Sequence, residues 1–447
     1  MIDNLIAREE HEGPIPSWRA GEVGDSTEIK RSTWSVEIKR GQPPLVQHGT
    51  EEVRAVRVID DGRLGYASSR TQPWTQLKNE AYAAAKTGPD TCLDEPLLEE
   101  KTGYSSSKWD PSWMSSMMGT ARELYDRLEQ LDSRFRPAVS ISYEETQTHL
   151  SNSLGGHVGF TRGYWSISAG GRLVSDTDFH AVTETRLGPD ALSKISELGD
   201  VVEQRFRLGQ PIVPVQPGKY PVVFLPTVVM SLLTPILTRL SGPTLLAGSS
   251  PWDDKIGQSV LSPLLTLTSD PTISGAPRTG PWDDEGTSTR AISLIEQGIL
   301  KHFILDRDSA RRIGQEPQGM GYRRNPGVPP ASLPANLIVS GGAGNLTEWG
   351  NRFPMLLVLN GWIGARPTNP IRGDIAGNAS ELYVMEHGVI TGRAKNVVVS
   401  LNALDALTHQ LLAVGDDNQW VPQGMMTVAP GFLPPLLIDG ADIQVRQ

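Results

Sequence analysis

A chain of 447 residues is longer than one small hydrophobic core can hold together, so two domains, or three, are expected. Hydrophobic residues at 38% and charged residues at 21% suit a globular protein, and a net charge of −10 with acids and bases interspersed leaves no basic stripe, so nucleic acid is not expected as a partner. The single cysteine, Cys92, excludes an internal disulfide and fits a reducing cytoplasm.

The opening stretch, MIDNLIAREEHEGPIPSW, has acids where a signal peptide needs an apolar run, so secretion is not expected, and residues 1–30 are read as a leader of uncertain role. STWSVEIKRG reads as a strand. EEVRAVRVIDDGRLGYASS reads as a hairpin, because Asp61-Gly62 supplies the positive backbone angles of a tight turn. QPWTQLKNEAYAAAKTG predicts a helix that stops at Gly88. A second helix begins near Asp110-Pro111, where Met114, Met117, Met118, Ala121, Leu124, Leu128 and Leu131 keep a helical period. From Pro137 the pattern turns to strands: AVSISYEET, THLSNS, then HVGFTRGYWSISAGG, with TRGYWSISAGGRLVSDTDFHAV as a further hairpin. GPDALSKISELGDVVEQRFRLG predicts a helix with Leu192, Ile195, Leu198, Val202 and Phe206 on one side.

QPIVPVQPGKYP packs four prolines into twelve residues and is the best candidate boundary. Beyond it, the uncharged run from Pro221 to Thr238 raises the question of a membrane span. Pro221, Pro226 and Pro235 interrupt it, Thr227, Ser231, Thr234 and Thr238 recur through it, and no aromatic belt flanks it. A strand YPVVFL followed by a helix from Pro226 fits better, since proline is favourable in a first helical turn. No membrane contact is expected. Turn-rich and strand-rich sequence continues to about residue 305, followed by a short helix at RDSARRIG and strands at NLIVSG, FPMLLVLNGWIG, SELYVMEHGVITG and AKNVVVS. A helix at LNALDALTHQLLAVG precedes the terminal strands. The expected fold is α+β in two domains. Residues 31–212 form an α/β domain with an antiparallel sheet, and residues 213–447 form a mainly antiparallel β domain with a few helices.

The residues that carry chemistry are sparse. A zinc hydrolase needs two imidazoles on one helix face, and no two of the eight histidines lie within seven residues of each other. There is no G-x-S-x-G elbow. Cys92 sits in GPDTCLDEP, a loop without neighbouring basic residues, and reads as a structural or incidental thiol. SGGAGN at 340–345 reads as a plain strand-to-helix turn. Asp283, Asp284 and Glu285, followed by Gly286, could bind a metal or a peptide's amino end, but by residue type they read as a solvated loop ahead of the strand TRAISLIEQG, with EQG as a hairpin turn.

The segment DDEGTSTRAISLIEQGILKHFILDRDSARRIG resembles a core signature of the TldD/TldE (PmbA) family: an acidic D-x-E-G turn, a strand, a G-x-L hairpin and a short helix. EEVRAVRVIDDGRLGYASS, PGKYPVVFLP and the stretch from GDIAGNASELYV to LLAVGDD are similar to further family segments in the same order, over about residues 30 to 445. The resemblance implies one of two subunit kinds. The TldD kind is a zinc peptidase with a HExxxH helix after the strand that PGKYPVVFLP matches and a cysteine ligand near the C-terminus. The TldE kind lacks these ligands and pairs with it. Set on the zinc helix, this chain carries Thr234, Pro235 and Arg239 where the histidine, glutamate and second histidine stand, and it has no cysteine after Cys92. Threonine is a poor ligand, proline cannot act as a base, and arginine is a fixed cation.

The resemblance thus implies a non-catalytic TldE-like subunit with no metal or catalytic residue of its own. Zinc is expected in a TldD-like partner, in a heterodimer or alternatively a self-dimer, acting on unfolded peptides in the cytoplasm. Asp284, Glu285 and Arg290 are the candidate peptide or partner contacts. Two other classes stay open: a stand-alone metal-dependent peptidase with a non-standard site, and a regulator that binds a topoisomerase-type protein.

Overall fold

Seven strands build the first layer of the computed structural model, which describes residues 16–96, 98, 101–106, 108–174, 179–189, 191–367, 369–422 and 429–446. In the N-terminal half the elements are β1 (Val23–Lys39), β2 (Leu45–Asp60), β3 (Arg63–Ser69), α1 (Trp74–Ala85), β4 (Lys101–Ser105), α2 (Trp113–Glu129), β5 (Phe135–Asn152), β6 (His157–Val174), β7 (Phe179–Gly188) and α3 (Ile195–Leu208). The sheet runs β3-β2-β1-β5-β6, and β6 pairs with both β4 and β7 beyond it. All of these pairs are antiparallel except β4 with β6. The β2–β3 turn has Asp61 at φ 48° and Gly62 at φ 70°, the geometry that the Asp-Gly pair predicts. The strand expected at STWSVEIKRG starts earlier, at Val23, so β1 takes in part of the stretch read as a leader. A hydrogen-bonding register along β2 and β5 extends it. The helix predicted from GPDALSKISELG begins only at Ile195, and Leu192 is exposed.

Alternation along the strands separates the two faces of this sheet. Val36, Ile38, Val139, Ile141, Tyr143, Trp165 and Ile167 face α2 and α3, whose Met117, Ala121, Leu124, Leu128, Leu198, Val202 and Phe206 complete one core. The opposite face is turned toward the second half.

That half contains β8 (Gly218–Phe224), α4 (Pro226–Leu240), α5 (Gly242–Leu246), β9 (Leu267–Ser269), β10 (Ile292–Glu296), β11 (Ile299–Leu300) and α6 (Arg307–Arg312). β8 lies between the strands Met355–Pro367 and Leu436–Val445, and the order continues through Val397–Asn402 to Asp374–Glu386 and Val389–Arg393. A further pairing between Met355–Pro367 and Asp374–Glu386 closes five of these strands into a ring. A smaller sheet runs from β11 through β10 and β9 to Leu337–Val339, Gly431–Leu433 and Gln419–Val421. α4 lies in the core shared by the ring and this smaller sheet.

Two expectations are corrected here. SELYVMEHGVITG is a hairpin, not one strand: His387 at φ 47° and Gly388 at φ 79° turn the chain. LNALDALTHQLLAVG is helical only from Ala403 to Gln410, and Leu411–Val414 instead pairs with Leu436–Val445.

Candidate functional site

The acidic turn lies in the seam between the halves. Gly286, at φ 78°, closes it, a conformation that glycine adopts without steric cost. Asp283, Asp284 and Glu285 are all buried, which overturns the solvated-loop reading. Asp283 accepts from the N–H groups of Glu285 and Thr287 at 3.0 and 2.8 Å and from Gly321 at 2.9 Å. Asp284 accepts from the Arg323 N–H at 2.7 Å and from Arg162 of β6 at 3.2 Å. Glu285 takes Arg57 of β2 on one oxygen at 2.7 Å and the Arg307 N–H on the other at 2.8 Å. Arg57 also donates to Asp25 of β1 at 2.6 Å. Burial pushes the Glu285 carboxyl up, and the Arg57 guanidinium opposes that rise. Buried charges persist only when paired and hydrogen-bonded, and Asp284 and Glu285 each meet an arginine, while Asp283 has backbone N–H donors alone and burial pushes its carboxyl up to about 8.

The loop after α1 docks beside the turn. Asp94 receives Arg307 at 2.7 Å and Arg311 at 2.9 Å, and the Cys92 N–H donates to Asp308 at 2.6 Å. Basic residues thus stand close to the Cys92 loop, supplied by α6 rather than by neighbours in sequence. A second clamp joins Arg205 of α3 to Glu184 of β7 and to Glu381 of the second half. Beside the turn lies a cavity of about 490 Å³, with Arg31, Glu144 and Arg162 from the first sheet on one side and Arg278, Asp284 and Arg323 on the other.

On α4, ten of fifteen positions are buried, and Thr227, Ser231, Thr234 and Thr238 are among the less buried ones. Their spacings of four and three put them on one face. The Thr234 hydroxyl donates to the Met230 carbonyl at 3.0 Å, Pro235 is buried, and Arg239 donates to the Ile371 carbonyl at 3.0 Å with its guanidinium over Trp252.

The profile of the PmbA/TldA metallopeptidase C-terminal domain matches residues 217–445, just over half of the chain. The chain belongs to this family. A Methanocaldococcus jannaschii protein named as a metalloprotease is 24% identical over 438 residues, covering 90% of this chain and 95% of that one. A Synechocystis protein with the same description is 21% identical over 441 residues, covering 95% and 91%. In fold, the crystal structure of TldE from Thermococcus kodakarensis matches with a TM-score of 0.81 at 20% identity, covering 95% of this chain and 96% of that one. A structure titled a putative modulator of a DNA gyrase, from Thermotoga maritima, matches at 0.76 with the same identity and coverage.

A metallopeptidase family implies a metal, and the donors on α4 do not fit one. Thr234 and Arg239 are engaged with carbonyls, Pro235 has no donor atom, and burial pulls the Arg239 guanidinium down without removing its charge at neutral pH. Among the described residues no three His, Cys, Asp or Glu side chains gather at metal-binding geometry. No helix among them is long and apolar enough to cross a membrane. Of the residues singled out from sequence, Asp284 and Glu285 come together in the seam, Arg290 is exposed, and Thr234, Pro235 and Arg239 stay on α4. Glu285 has both oxygens turned to Arg57 and Arg307, and only Asp284 borders the cavity. Sequence reasoning missed Arg57, Arg162, Arg278 and Arg323. Arg57 and Arg162 lie on strands, where side-chain parity sets the face, whereas Arg278 and Arg323 lie on loops, where no such signal exists.

Proposed function

We propose that this chain is the TldE-like, non-catalytic subunit of a TldD/TldE-type zinc peptidase acting on unfolded peptides in the cytoplasm. The observation that carries the reading is the chemistry of α4. At the positions that resemble the family's zinc helix, the side chains are a hydroxyl bonded to its own helix, a proline, and an arginine tied to the Ile371 carbonyl. The likeness in fold to a chain titled TldE supports it. In this reading zinc belongs to a TldD-like partner. The present chain completes the dimer, walls the chamber and helps hold the peptide as an extended strand, because main-chain hydrogen bonds give affinity without demanding a sequence.

Co-expression with a HExxxH-bearing chain from the same genome tests this. The two chains are expected to co-elute, with zinc and cleavage of an unfolded peptide present only when the HExxxH chain is intact. Stoichiometric zinc retained by the present chain alone, with cleavage of the same peptide, would sink the reading.

A further inference from the structure

The first sheet ends in a strand that is only half covered. β3 pairs with β2 from Asp60 back to Arg54, which meets Ser69, and from Val53 back to Leu45 β2 pairs with β1 alone. Residues 45–50 are all exposed, and among the described residues no backbone group of residues 45–51 finds a partner other than β1. In an antiparallel strand every second residue turns its N–H and C=O away from the neighbour, so this stretch offers a row of open donors and acceptors. The usual protections of such an edge are missing. The β1–β2 register runs unbroken from Val23↔Ile59 to Glu37↔Leu45, so no bulge twists the strand away. Pro43 and Pro44 lie just before the open stretch rather than on it, and it carries no lysine. Two of its exposed side chains are apolar, Leu45 at 45% and Val46 at 47% exposure.

A hollow lies at the far end of the same stretch. A cavity of about 550 Å³ opens beside Val53, between Ser69 at the end of β3 and a loop of the second half that brings Pro326 and Val328. Val56 and Val58 pack on α1, so Val53 stands on the opposite face of β2, toward the second half. Leu45 has the parity of Val53 and stands on that same face.

We propose that this edge pairs antiparallel with the same edge of a second copy of the chain. A two-fold axis that uses the whole open stretch, residues 45–53, passes beside Gly49. Leu45 of one copy then faces Val53 of the other and enters its cavity, while Val46 faces Glu52, Gln47 faces Glu51 and His48 faces Thr50. Like charges are nowhere directly opposed. The pairing ends where each copy requires it, because the next residue, Pro44, arrives opposite Arg54, where β3 already holds the edge. Any extended peptide meets the backbone groups, but self-pairing also buries the exposed leucine of each copy in the other's cavity, twice over by symmetry. The pairing does not depend on the subunit reading, since it uses only the outer edge of the first sheet.

Sedimentation of the full chain and disulfide trapping test this together. The mass should double as the concentration rises through the micromolar range, and Leu45→Lys combined with Val46→Lys should abolish that doubling while circular dichroism stays unchanged. Trapping reads the register. Gly49 has open space where a Cβ would stand, so Gly49→Cys is tolerated, and it is made together with Cys92→Ser to remove the native thiol. Directly opposed Cα atoms of an antiparallel pair lie about 4.5–5.5 Å apart, within the span of roughly 4.4–6.8 Å that a disulfide bridges. Under copper-phenanthroline oxidation Gly49→Cys should link two chains at least tenfold faster than Leu45→Cys in the same background, because Leu45 faces Val53 and not itself. A chain whose mass never doubles overturns the proposal, as does a doubling that the two-lysine variant shows equally, which would assign it to another surface. Equal trapping rates at the two positions overturn the register. Protection of residues 45–51 from hydrogen exchange that appears only when an unfolded peptide or the HExxxH-bearing chain is added would give the edge to that occupant and overturn the proposal as well.

Discussion

Arg57 shows what a single residue does in this molecule. In EEVRAVRVIDD it shares parity with Val53 and Ala55, while Val56 and Val58 take the other face and pack on Trp74, Leu77 and Ala81 of α1. That parity is legible from the sequence alone, and it places the guanidinium on the seam side of β2. Its second partner was not legible, because Glu285 lies 228 residues away and only the folded seam brings them together. The same separation hid Arg162, which meets Asp284 across 122 residues. Local residue type then misled: three consecutive acids look solvated until their partners are known. Replacing Arg57 by alanine leaves Asp25 and Glu285 buried against each other, and breaking a buried pair in this way costs about 3–5 kcal/mol. The midpoint of urea unfolding should fall accordingly, and Arg57→Lys should recover only part of the loss, since an ammonium cannot reproduce the two-sided fork. A midpoint unchanged by Arg57→Ala would mean that the seam is not held by this pair.

At the scale of elements, legibility followed local chemistry. The turns at Asp61-Gly62 and Gln297-Gly298 announce themselves, because both residues of each take positive φ and the second is glycine. α2 announced itself through its period, and Met117, Ala121, Leu124 and Leu128 are indeed its buried stripe. The failure at LNALDALTHQLLAVG has a tertiary cause. Asn402 caps a helix start by accepting from the Leu404 and Asp405 N–H groups, but Leu411 and Val414 fit a strand as well as a helix, and an available partner strand decides the matter. α4 carries its own prediction. Five residues turn an α-helix by about 500°, which leaves positions 234 and 239 roughly 140° apart around the axis. Thr234→His combined with Arg239→His therefore sets two imidazoles on different sides of a helix that offers no third ligand. The double variant should retain no zinc after dialysis against a weak chelator. Losing Arg239 also removes a donor from the Ile371 carbonyl, so a destabilisation of about 1–3 kcal/mol is expected, toward the lower end because the site is only half-buried. Stoichiometric retained zinc would show that a further ligand approaches α4.

For the whole molecule, the seam makes the two halves one cooperative body. Asp25, Arg57, Glu95 and Arg162 come from the first half, and Asp284, Glu285, Arg307 and Arg323 from the second, so parting the halves strands charges on both faces. Glu95 makes this seam respond to pH. Neither of its carboxyl oxygens has a hydrogen-bond partner, and burial pushes its pKa up to about 8, with Asp25 and Glu285 adding to the rise and Arg57 and Arg307 opposing it. In the unfolded chain the group titrates near the ordinary glutamate value, about 4.3. Between these two values the folded state holds a proton that the unfolded state has released, so stability falls as pH rises. The contribution is fully present below about pH 4.3 and is lost as pH climbs through about 8. Burial also pushes the Glu285 carboxyl up, which bends the curve in the same sense. The melting temperature should therefore decline between pH 5.5 and 8.5, in a range where most exposed acids are already ionised and silent. Glu95→Gln keeps the shape and the neutral state of the protonated acid and cannot ionise. It should be about as stable as the parent at pH 5.5, more stable at pH 8.5, and should flatten the slope between them. A variant whose slope matches the parent's would place the titrating group elsewhere, and a variant less stable at both pH values would show that the Glu95 carboxyl is held ionised by Arg57 and Arg307.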